Sequence, residues 1–399
     1  MKRTVLVIAA LGLFLFAQSA QADWIARKRL TWNAGASYSP EIAVDSLGHL
    51  HLVWYDDTPG NCEIYHEMST DGGATWTAAK RLTWSSDGSR YPAMAIDPSD
   101  RIHVVWTEDS IGGSEIYYKR SSDGGATWTA RQRLTWTGTT STWPDIAVDV
   151  SGVIHLVWQD STGEIFYSKS PDGTNWMLTK RLTWTSGNSN NPDMAIDSSG
   201  QLHVVWEDNT PGEYNYEVYY KKSLDAGLTW SPSKRLTWIL NGSYRPDIAV
   251  DPSGNLHLAW HDENPSLYDI YYKNSTDSGA SWTAAKRLTF ALGWSAYPCL
   301  AADASGELHL VWEELDDELY YRKSTNSGST WTAIQRLTWT SGSSWYPAIV
   351  ADPSSNLHVF WSDDTPGNRE IYYKKYINQE PRSNTMVRKM ARRACVSES

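Results

Sequence analysis

The chain has 399 residues, of which 41% are hydrophobic and 13% aromatic, and its formal net charge at pH 7 is −11. An acidic chain repels phosphate backbones and anionic lipid headgroups, which argues against nucleic acid and anionic membrane surfaces as partners. The three cysteines, Cys62, Cys299 and Cys395, lie in unrelated contexts and provide neither a disulfide framework nor a metal-ligand spacing, so the fold must be held together by packing.

The first residues have the pattern of an exported protein. Lys2 and Arg3 precede an apolar run over 5–16, and Ala20-Gln21-Ala22 forms a small-residue cleavage site. The apolar run is too short to span a bilayer, and no later stretch is long enough. We therefore expect a signal peptide over residues 1–22, no transmembrane segment, and a protein that is exported to the periplasm or outside the cell.

A unit of 48 to 54 residues recurs along the rest of the chain. Its copies open with Arg-Leu-Thr, at Arg29, Arg81, Arg133, Arg181, Arg235, Arg287 and Arg336. Within a copy, β-branched and aromatic runs such as 104–106 and 116–118 lie between clusters of Gly, Pro, Asp and Ser, without a helical period between them. Four antiparallel strands in a repeat of this length form one blade of a β-propeller.

The number of blades follows from the inner strand of each copy. Its proline occurs at Pro40, Pro92, Pro144, Pro192, Pro246, Pro298 and Pro347. The last copy ends after its third strand, whereas residues 24–32 align with the outer strand at 76–84. We therefore predict an all-β, seven-bladed propeller of four-stranded blades over 23–376, in which the N-terminal strand completes the last blade and closes the ring. Residues 377–399 are basic and lack apolar periodicity, which predicts a disordered tail.

The turn before the outer strand carries a family resemblance. Its pattern is Ser-x-Asp-x-Gly-x-x-Trp, at 69–76, 121–128, 223–230 and 275–282, with Asn326 in place of the aspartate at 324–331 and a shorter form at 170–176. This turn resembles the Asp box of BNR repeats, which occur in sialidases and in many non-enzymatic propellers. The Asp and Ser side chains can bond to the turn backbone, and Gly can supply a positive φ. The Asp box is therefore interpreted as a folding device rather than a source of catalytic carboxylates.

Three further positions keep one residue type in every blade, which favours structural roles. Histidines occupy one of them, at His51, His103, His155, His203, His257, His309 and His358. Tryptophans end the same strand, at Trp54, Trp106, Trp158, Trp206, Trp260, Trp312 and Trp361. Acidic residues precede an aromatic pair, at Glu63, Glu115, Glu164, Glu217, Asp269, Glu318 and Glu370. We expect the histidines to bond buried polar neighbours, the tryptophans to form the core between blades, and the acids to repeat one structural role.

Function is expected where the repeats differ, in the loops before the inner-strand prolines. These loops place aromatic, amide and arginine side chains at Tyr38, Tyr91, Trp143, Asn191, Tyr244, Arg245, Trp294, Tyr297, Trp345 and Tyr346. Carboxylates follow four of the prolines, at Glu41, Asp145, Asp193 and Asp247. Propeller topology gathers these residues at one mouth of the central channel, together with acidic loops between second and third strands. We predict that these residues form the ligand-binding site.

Aromatic faces beside carboxylates and amides suit a neutral or cationic glycan, because the rings stack on sugars while the polar groups bond hydroxyls. The sequence therefore favours an exported, monomeric, lectin-like binding module without a cofactor. Alternatively, the same aromatics wedge between blades. The four carboxylates are also a conceivable calcium site, but no loop has a recognisable ligand spacing, so no metal is predicted.

A sialidase-like glycoside hydrolase is the enzymatic alternative. The resemblance implies three arginines that grip a sugar carboxylate, a nucleophilic tyrosine with its glutamate, and an acid/base aspartate. Only Arg90 and Arg245 occur in the loops before the prolines, so equivalent positions cannot supply that clamp. The acidic mouth would also repel an anionic sugar. We therefore favour binding over catalysis, and a protein-interaction scaffold outside the cytoplasm remains the third alternative.

Overall fold

A computed structural model describes residues 24–378, apart from 137, 211, 213–214, 265–266 and 291–292. The predicted signal peptide and nearly all of the predicted tail lie outside the described residues. Within the part of the chain that the structure describes, no helix is long and apolar enough to cross a membrane.

The described residues form 28 β-strands in seven four-stranded sheets. The strands of the first three blades, preceded by the N-terminal strand, are β1 (Lys28–Arg29), β2 (Ser37–Val44), β3 (Leu50–Asp56), β4 (Glu63–Ser69), β5 (Lys80–Arg81), β6 (Ser89–Ile96), β7 (Ile102–Glu108), β8 (Glu115–Ser121), β9 (Gln132–Arg133), β10 (Ser141–Val148), β11 (Ile154–Asp160), β12 (Glu164–Ser170) and β13 (Lys180–Arg181). Those of the remaining blades are β14 (Ser189–Ile196), β15 (Leu202–Asp208), β16 (Glu217–Ser223), β17 (Lys234–Arg235), β18 (Ser243–Val250), β19 (Leu256–Asn264), β20 (Leu267–Ser275), β21 (Lys286–Arg287), β22 (Ser295–Ala302), β23 (Leu308–Glu314), β24 (Glu318–Ser324), β25 (Gln335–Arg336), β26 (Ser344–Ala351), β27 (Leu357–Asp363) and β28 (Glu370–Tyr376).

Six sheets consist of four consecutive strands, and the seventh has the order β1-β28-β27-β26. Lys28 and Arg29 of β1 pair antiparallel with Tyr373 and Tyr372 of β28. The N-terminal strand thus completes the last blade, as the incomplete repeats at the two ends predicted. Closing the ring in this way covers the edge that the last sheet would otherwise expose.

The core lies between adjacent blades. The second strands are almost wholly buried because their apolar residues contact a neighbouring sheet on each face. Trp106, for example, is 0% exposed and packs in one cluster with Val53, Ile64 and Leu82 of the preceding blade. The predicted interblade role of the seven second-strand tryptophans is confirmed.

The repeated polar residues bond one another inside each blade. His103 bonds Tyr118 Oη through Nδ1 at 2.7 Å and Asp97 Oδ2 through Nε2 at 3.3 Å, and both ring nitrogens are therefore satisfied. The repeated acids tie the third strand to the outer strand. Glu217 is 0% exposed and accepts hydrogen bonds from Arg235 Nη2 at 2.5 Å and from the hydroxyl of Thr237. Both sets therefore have the structural roles that their repetition predicted.

Each Asp box closes a turn and also locks two blades together. Asp71 Oδ1 accepts the Thr75 amide at 2.8 Å, and Ser69 Oγ accepts the Gly73 amide at 2.8 Å. Trp76 packs edge-on against Tyr373 of the neighbouring blade, with ring centroids 5.8 Å apart. The Asp box therefore contributes to stability through the blade interface as well as through its own turn.

Candidate ligand-binding site at the channel mouth

Every inner strand contains a β-bulge immediately before its proline. In β10, for example, Thr142 pairs with Gln159 and Asp145 pairs with Val157, so two residues of β10 lie opposite one residue of β11. The residue before each proline has a φ of 46 to 53° and is not glycine. These bulge residues are Ser39, Tyr91, Trp143, Asn191, Arg245, Tyr297 and Tyr346. A left-handed conformation costs such residues about 1–2 kcal/mol, and here it turns one side chain from each blade towards the channel.

The second strand of one blade supports the bulge of the next. The backbone amide of Asn191 donates to Gln159 Oε1 at 2.8 Å, and that of Arg245 donates to Glu207 Oε2 at 2.7 Å. The amide of Tyr346 donates to Glu313 Oε1 at 2.5 Å. The three acceptors occupy one equivalent position, directly after the second-strand tryptophan. Burial raises the pKa of Glu313 to about 8, so this side chain carries a proton near neutral pH.

The bulge side chains surround a cavity of about 310 Å³ in the channel. The rings of Tyr91 and Trp143 stack with centroids 4.0 Å apart. The Arg245 guanidinium lies 4.8 Å from the Trp143 ring and 5.4 Å from the Tyr297 ring, and its Nη1 donates to Asn191 Oδ1 at 3.0 Å. Arg245 therefore bridges the aromatic rings of blades three and six at the mouth.

The four predicted channel carboxylates, Glu41, Asp145, Asp193 and Asp247, line the same cavity. Three of them join neighbouring inner strands, since each accepts a backbone amide of the following blade at 2.6 to 2.8 Å. Burial, followed by repulsion from Asp193, raises the pKa of Glu41 to about 8, and burial raises that of Asp193 to about 6. Among the described residues, no three of these carboxylates each place an oxygen within 4.8 Å of the other two. The geometry therefore does not support the calcium hypothesis.

A second cavity of about 380 Å³ opens beside the channel. Its lining residues come from blades four, five and six, namely Glu207, Tyr244, Arg245, His261, Tyr268, Trp294, Ala296 and Tyr297. Arg245 and Tyr297 line both cavities, so the two spaces form one composite site. We call the second cavity the side pocket.

Blade five builds the side pocket by departing from the other blades. Its second and third strands, β19 and β20, have nine residues each, whereas the equivalent strands elsewhere have seven. The additional ladder pairs Glu263 with Tyr268 and brings the tyrosine next to the site. The His261 ring lies 5.2 Å from that of Tyr268 and 5.7 Å from that of Tyr244. The longer hairpin thus encloses His261 on the channel-mouth face.

Two polar groups in the side pocket differ in their hydrogen bonding. Burial lowers the pKa of His261 to about 3, so the imidazole is neutral, and its buried Nδ1 has no protein partner. Glu207 accepts the Asn191 side-chain amide at 2.6 Å as well as the Arg245 backbone amide. Burial raises the pKa of Glu207, and the charge of Arg245 opposes that shift. The pocket therefore combines aromatic walls with a neutral imidazole and a positioned arginine.

The structure brings most of the predicted site residues together. The residues that line the channel cavity are Glu41, Tyr91, Trp143, Asp145, Asn191, Asp193, Arg245, Asp247, Tyr297 and Tyr346. Tyr244 and Trp294 line the side pocket. Tyr38 and Trp345 lie outside both cavities, where the Arg369 guanidinium stacks 5.2 Å and 4.0 Å from their rings. These two aromatics are thus covered by an arginine.

Ser39, His261 and Tyr268 also line the site, although the sequence did not single them out, and Glu207 lines it from one of the predicted acidic loops. Glu207 and His261 follow the second-strand tryptophan, at a position where the side chain changes from blade to blade. That variation was the available signal. The acidic loops were also overestimated as part of the mouth, since Asp208 is buried and accepts the hydroxyl of Ser189 at 2.6 Å. Equivalent bonds hold Asp56, Asp262 and Asp363, so these carboxylates serve the fold.

The closed ring of seven four-stranded blades, six of which carry the Asp-box turn, defines the class of this protein as a β-propeller with a cavity at one channel mouth. The model of the BNR repeat-containing family matches residues 83–237 and 296–394, and the chain belongs to that family. No curated protein matches the chain.

Solved structures with the same fold include carbohydrate-related proteins at low sequence identity. The lectin BP39L from Burkholderia pseudomallei is 10% identical, with 85% of this chain and 96% of the lectin covered and a TM-score of 0.64. An ulvan lyase bound to -[GlcA(1-4)Rha3S]- is 10% identical, with coverages of 87% and 95% and a TM-score of 0.62. The Hadza microbial sialidase Hz136 is 14% identical, with coverages of 84% and 74% and a TM-score of 0.51.

Proposed function

We propose that this protein binds a glycan at the composite site formed by the channel cavity and the side pocket. The observation that carries the proposal is the side pocket itself, where four aromatic side chains surround Glu207, Arg245 and His261 in about 380 Å³. The pocket is a feature of blade five and its neighbours, and so is not explained by the fold that all seven blades share.

The chemistry of the pocket matches that of a sugar ring. Tyr244, Tyr268 and Trp294 offer apolar surface to the C–H faces of a sugar, which aromatic rings stack against. His261 Nδ1 and the Arg245 guanidinium can bond hydroxyl or carboxylate oxygens. Since the free imidazole is already buried, a ligand hydroxyl at Nδ1 would relieve an unpaired polar atom rather than create one.

The lining of the side pocket favours binding over hydrolysis. Glycoside hydrolysis of the usual kind needs two carboxyl groups about 5 to 10 Å apart. Among the described residues that line this pocket, Glu207 is the single carboxylic acid, and both its oxygens already accept protein hydrogen bonds. The lectin, lyase and sialidase with this fold are consistent with a carbohydrate site on the scaffold, and the N-terminal sequence is consistent with export.

The proposal is tested by calorimetric titration of the purified protein with a panel of neutral, acidic and cationic oligosaccharides. Tyr268→Ala and Trp294→Ala remove two walls of the side pocket, and we expect each to weaken binding at least tenfold. Trp345→Ala is the matched control, because Trp345 occupies the inner-strand position of Tyr244 but lies under Arg369, outside both cavities. We expect that variant to bind as the parent does.

The same samples distinguish the alternatives. Chromatography of the sugar after titration should return it intact, and release of a shorter product would establish a glycoside hydrolase instead. If none of the sugars binds, the glycan proposal is wrong and a protein partner for the same face becomes the leading hypothesis. Equal weakening by all three aromatic variants would place the ligand elsewhere on the mouth.

A further inference from the structure

The hairpin between the first and second strands contains an aspartate in every blade, and one of these aspartates differs from the rest. In six blades the Oδ2 atom of this aspartate accepts a hydrogen bond from a histidine, an arginine or an asparagine side chain. In blade six, Asp303 Oδ2 is buried and has no hydrogen-bond partner. The nearest basic nitrogen is His309 Nε2 at 3.7 Å, which is too long for a hydrogen bond and is likewise without a partner.

In blades three and four, where the residue four positions after the aspartate is Val153 or Gln201, the histidine bonds Oδ2. In the other four blades with a bonded Oδ2, the residue four positions after the aspartate donates to it. In blades five and seven that residue is Asn255 or Asn356, whose side-chain amide donates to the aspartate at 2.8 Å. In blade six it is Glu307, and a carboxylate has no hydrogen to donate. Side-chain ligand atoms of Asp303, Glu307 and His309 instead all lie within 4.8 Å of one another.

We propose that Asp303, Glu307 and His309 bind one divalent transition-metal ion of the zinc type. Asp303 and His309 are 2% and 1% exposed, so two buried atoms that no protein group satisfies point into the cluster. Leaving both unpaired is costly, and a cation between them would bond both. The site lies at the hairpin end of the blade, opposite the channel mouth, and is independent of the proposed glycan site.

The surroundings of the cluster suit a metal site. His309 Nδ1 is 2.9 Å from Tyr321 Oη, and a proton on Nδ1 donated to that oxygen leaves the Nε2 lone pair free for the ion. Asp303 Oδ1 accepts the amides of Ser305 and Glu307 at 2.9 Å, which orients Oδ2 towards the histidine. One imidazole and two carboxylates favour a borderline ion such as Zn²⁺ over Ca²⁺, which prefers six to eight oxygens.

Glu307 is the exposed member of the cluster and provides access from solvent. Its Oε2 is 3.0 Å from Lys323 Nζ, with about a quarter of each side chain exposed. Binding of the ion would replace this ion pair, which is of the partly exposed kind that contributes little to stability. Replacing the Glu307–Lys323 ion pair by a bond from Glu307 to the ion is therefore favourable. Water can take the open coordination position beside Glu307.

The test compares the parent protein with Glu307→Asn, which gives blade six the residue found in blades five and seven. After chelation with EDTA and removal of the chelator, calorimetric titration with Zn²⁺ should give one ion per parent chain, and the thermal midpoint should rise with Zn²⁺. Glu307→Asn should lose this site, with affinity reduced at least a hundredfold. Without metal its midpoint should exceed that of the parent, because the new amide donates to Asp303.

A gain-of-site variant completes the test. Asn255→Glu creates the same three ligand types in blade five with Asp251 and His257, and the residue opposite His257 is Asn274 rather than a lysine. We expect two equivalents of Zn²⁺ in that variant. No binding to the parent, unchanged binding in Glu307→Asn, or a stoichiometry of one in Asn255→Glu would each overturn the assignment.

Discussion

The two faces of the ring are built on the same repeated backbone but use side chains in opposite ways. On the Asp-box face, the same Ser, Asp, Gly and Trp recur in most blades, and a tyrosine or histidine of the neighbouring blade lies against the glycine. At the channel mouth, the bulge has a φ of 46 to 53° in all seven blades, yet its side chain changes from serine to tryptophan to arginine. The Asp-box face therefore repeats the same side chains from blade to blade, whereas the channel mouth repeats the backbone conformation and varies the side chains.

This difference changes how backbone strain is interpreted here. A left-handed non-glycine residue is often a sign of a functional site. When all seven blades share it, the strained conformation belongs to the fold, where it turns side chains into the channel. The functional information lies in which side chain each bulge carries. Arg245 illustrates the point, since its guanidinium joins Trp143 of blade three to Tyr297 of blade six.

The largest expected loss of stability is that of Gly279→Ala, a substitution on the Asp-box face. A methyl group at this glycine would lie 2.0 Å from Tyr220 Oη, and the φ of +78° disfavours alanine as well. We expect a loss of about 3–5 kcal/mol in the free energy of unfolding, measured by urea denaturation. Gly254→Ala is the control, because its φ is +82° and nothing lies within 4 Å of the added methyl.

The control should lose only about 1 kcal/mol, which is the conformational cost alone. Equal losses in the two variants would show that the contact between Gly279 and Tyr220 does not lock the blades. The repeated side chains of the Asp-box face would then have no demonstrated role in holding the blades together.

The periodicity of the sequence was sufficient to predict the fold, but only part of the site. Seven copies with matching ends determine the blade count and the closure of the ring, because each copy can bury its strands only against its neighbours. The left-handed bulge was not predictable in the same way. A residue before proline is normally extended, so Trp143-Pro144 by itself gives no indication of a positive φ.

The side pocket could not be predicted because it depends on which side chains of three blades meet in space. Glu207, His261 and Tyr268 are on three different strands, and no spacing in the sequence relates them. Tyr268 reaches the pocket because the hairpin of blade five continues its ladder beyond the length found elsewhere. How far the two strands of a hairpin stay paired depends on the surrounding tertiary structure, and the repeat pattern alone does not predict it.

The second prediction concerns the pH dependence of stability and uses Glu313 and Gln159, which support bulges from equivalent positions. Burial raises the pKa of Glu313 from 4.5 to about 8 in the folded protein, so between these values the folded state binds a proton that the unfolded state has released. Stability therefore falls as pH rises through this window, by about 1.4 kcal/mol per unit at most.

Glu313→Gln keeps the acceptor for the Tyr346 amide and removes the titration. Relative to the parent, it should be nearly neutral at pH 4 and more stable by a few kcal/mol at pH 9, as measured by urea denaturation at both pH values. Gln159→Glu should add a second titration of the same sign as that of Glu313, so this variant should lose stability relative to the parent as pH rises. A parent protein whose stability difference from Glu313→Gln is constant with pH would contradict the protonated state of this glutamate.

The third prediction measures the cost of the repeated bulge. Ser39 has a φ of 46° and the smallest side chain of the seven bulge residues. Ser39→Gly should be more stable than Ser39→Ala by about 1 kcal/mol, because both remove the hydroxyl and only glycine adopts the left-handed region without strain. Thermal denaturation of the pair checks this. Equal stability of the two variants would mean that the bulge is not strained and is no guide to either fold or function.

The smallest effect is expected on the outer rim of the ring, where repeated chemistry is exposed instead of buried. The residue after each Arg-Leu-Thr is a tryptophan or phenylalanine that is 65 to 73% exposed. Trp238 has the ammonium of Lys273 at 5.6 Å from its ring, and this lysine is only 8% exposed. Next to Trp136, the third-strand position equivalent to Lys273 is occupied by Ser168, so Trp136 does not cover a lysine at this position.

Trp136→Ala should therefore change the free energy of unfolding by less than about 0.5 kcal/mol, and Trp238→Ala should cost about 1 kcal/mol because it uncovers a buried cation. Urea denaturation of the two variants measures the difference. If Trp136→Ala is as costly as Trp238→Ala, the rim aromatics stabilise the blades without any help from the lysine. If neither variant loses stability, the repetition of the rim is not explained by the fold. Glycan titration of the same two variants would then decide whether repeated side chains, as well as the variable ones of the mouth, contact the ligand.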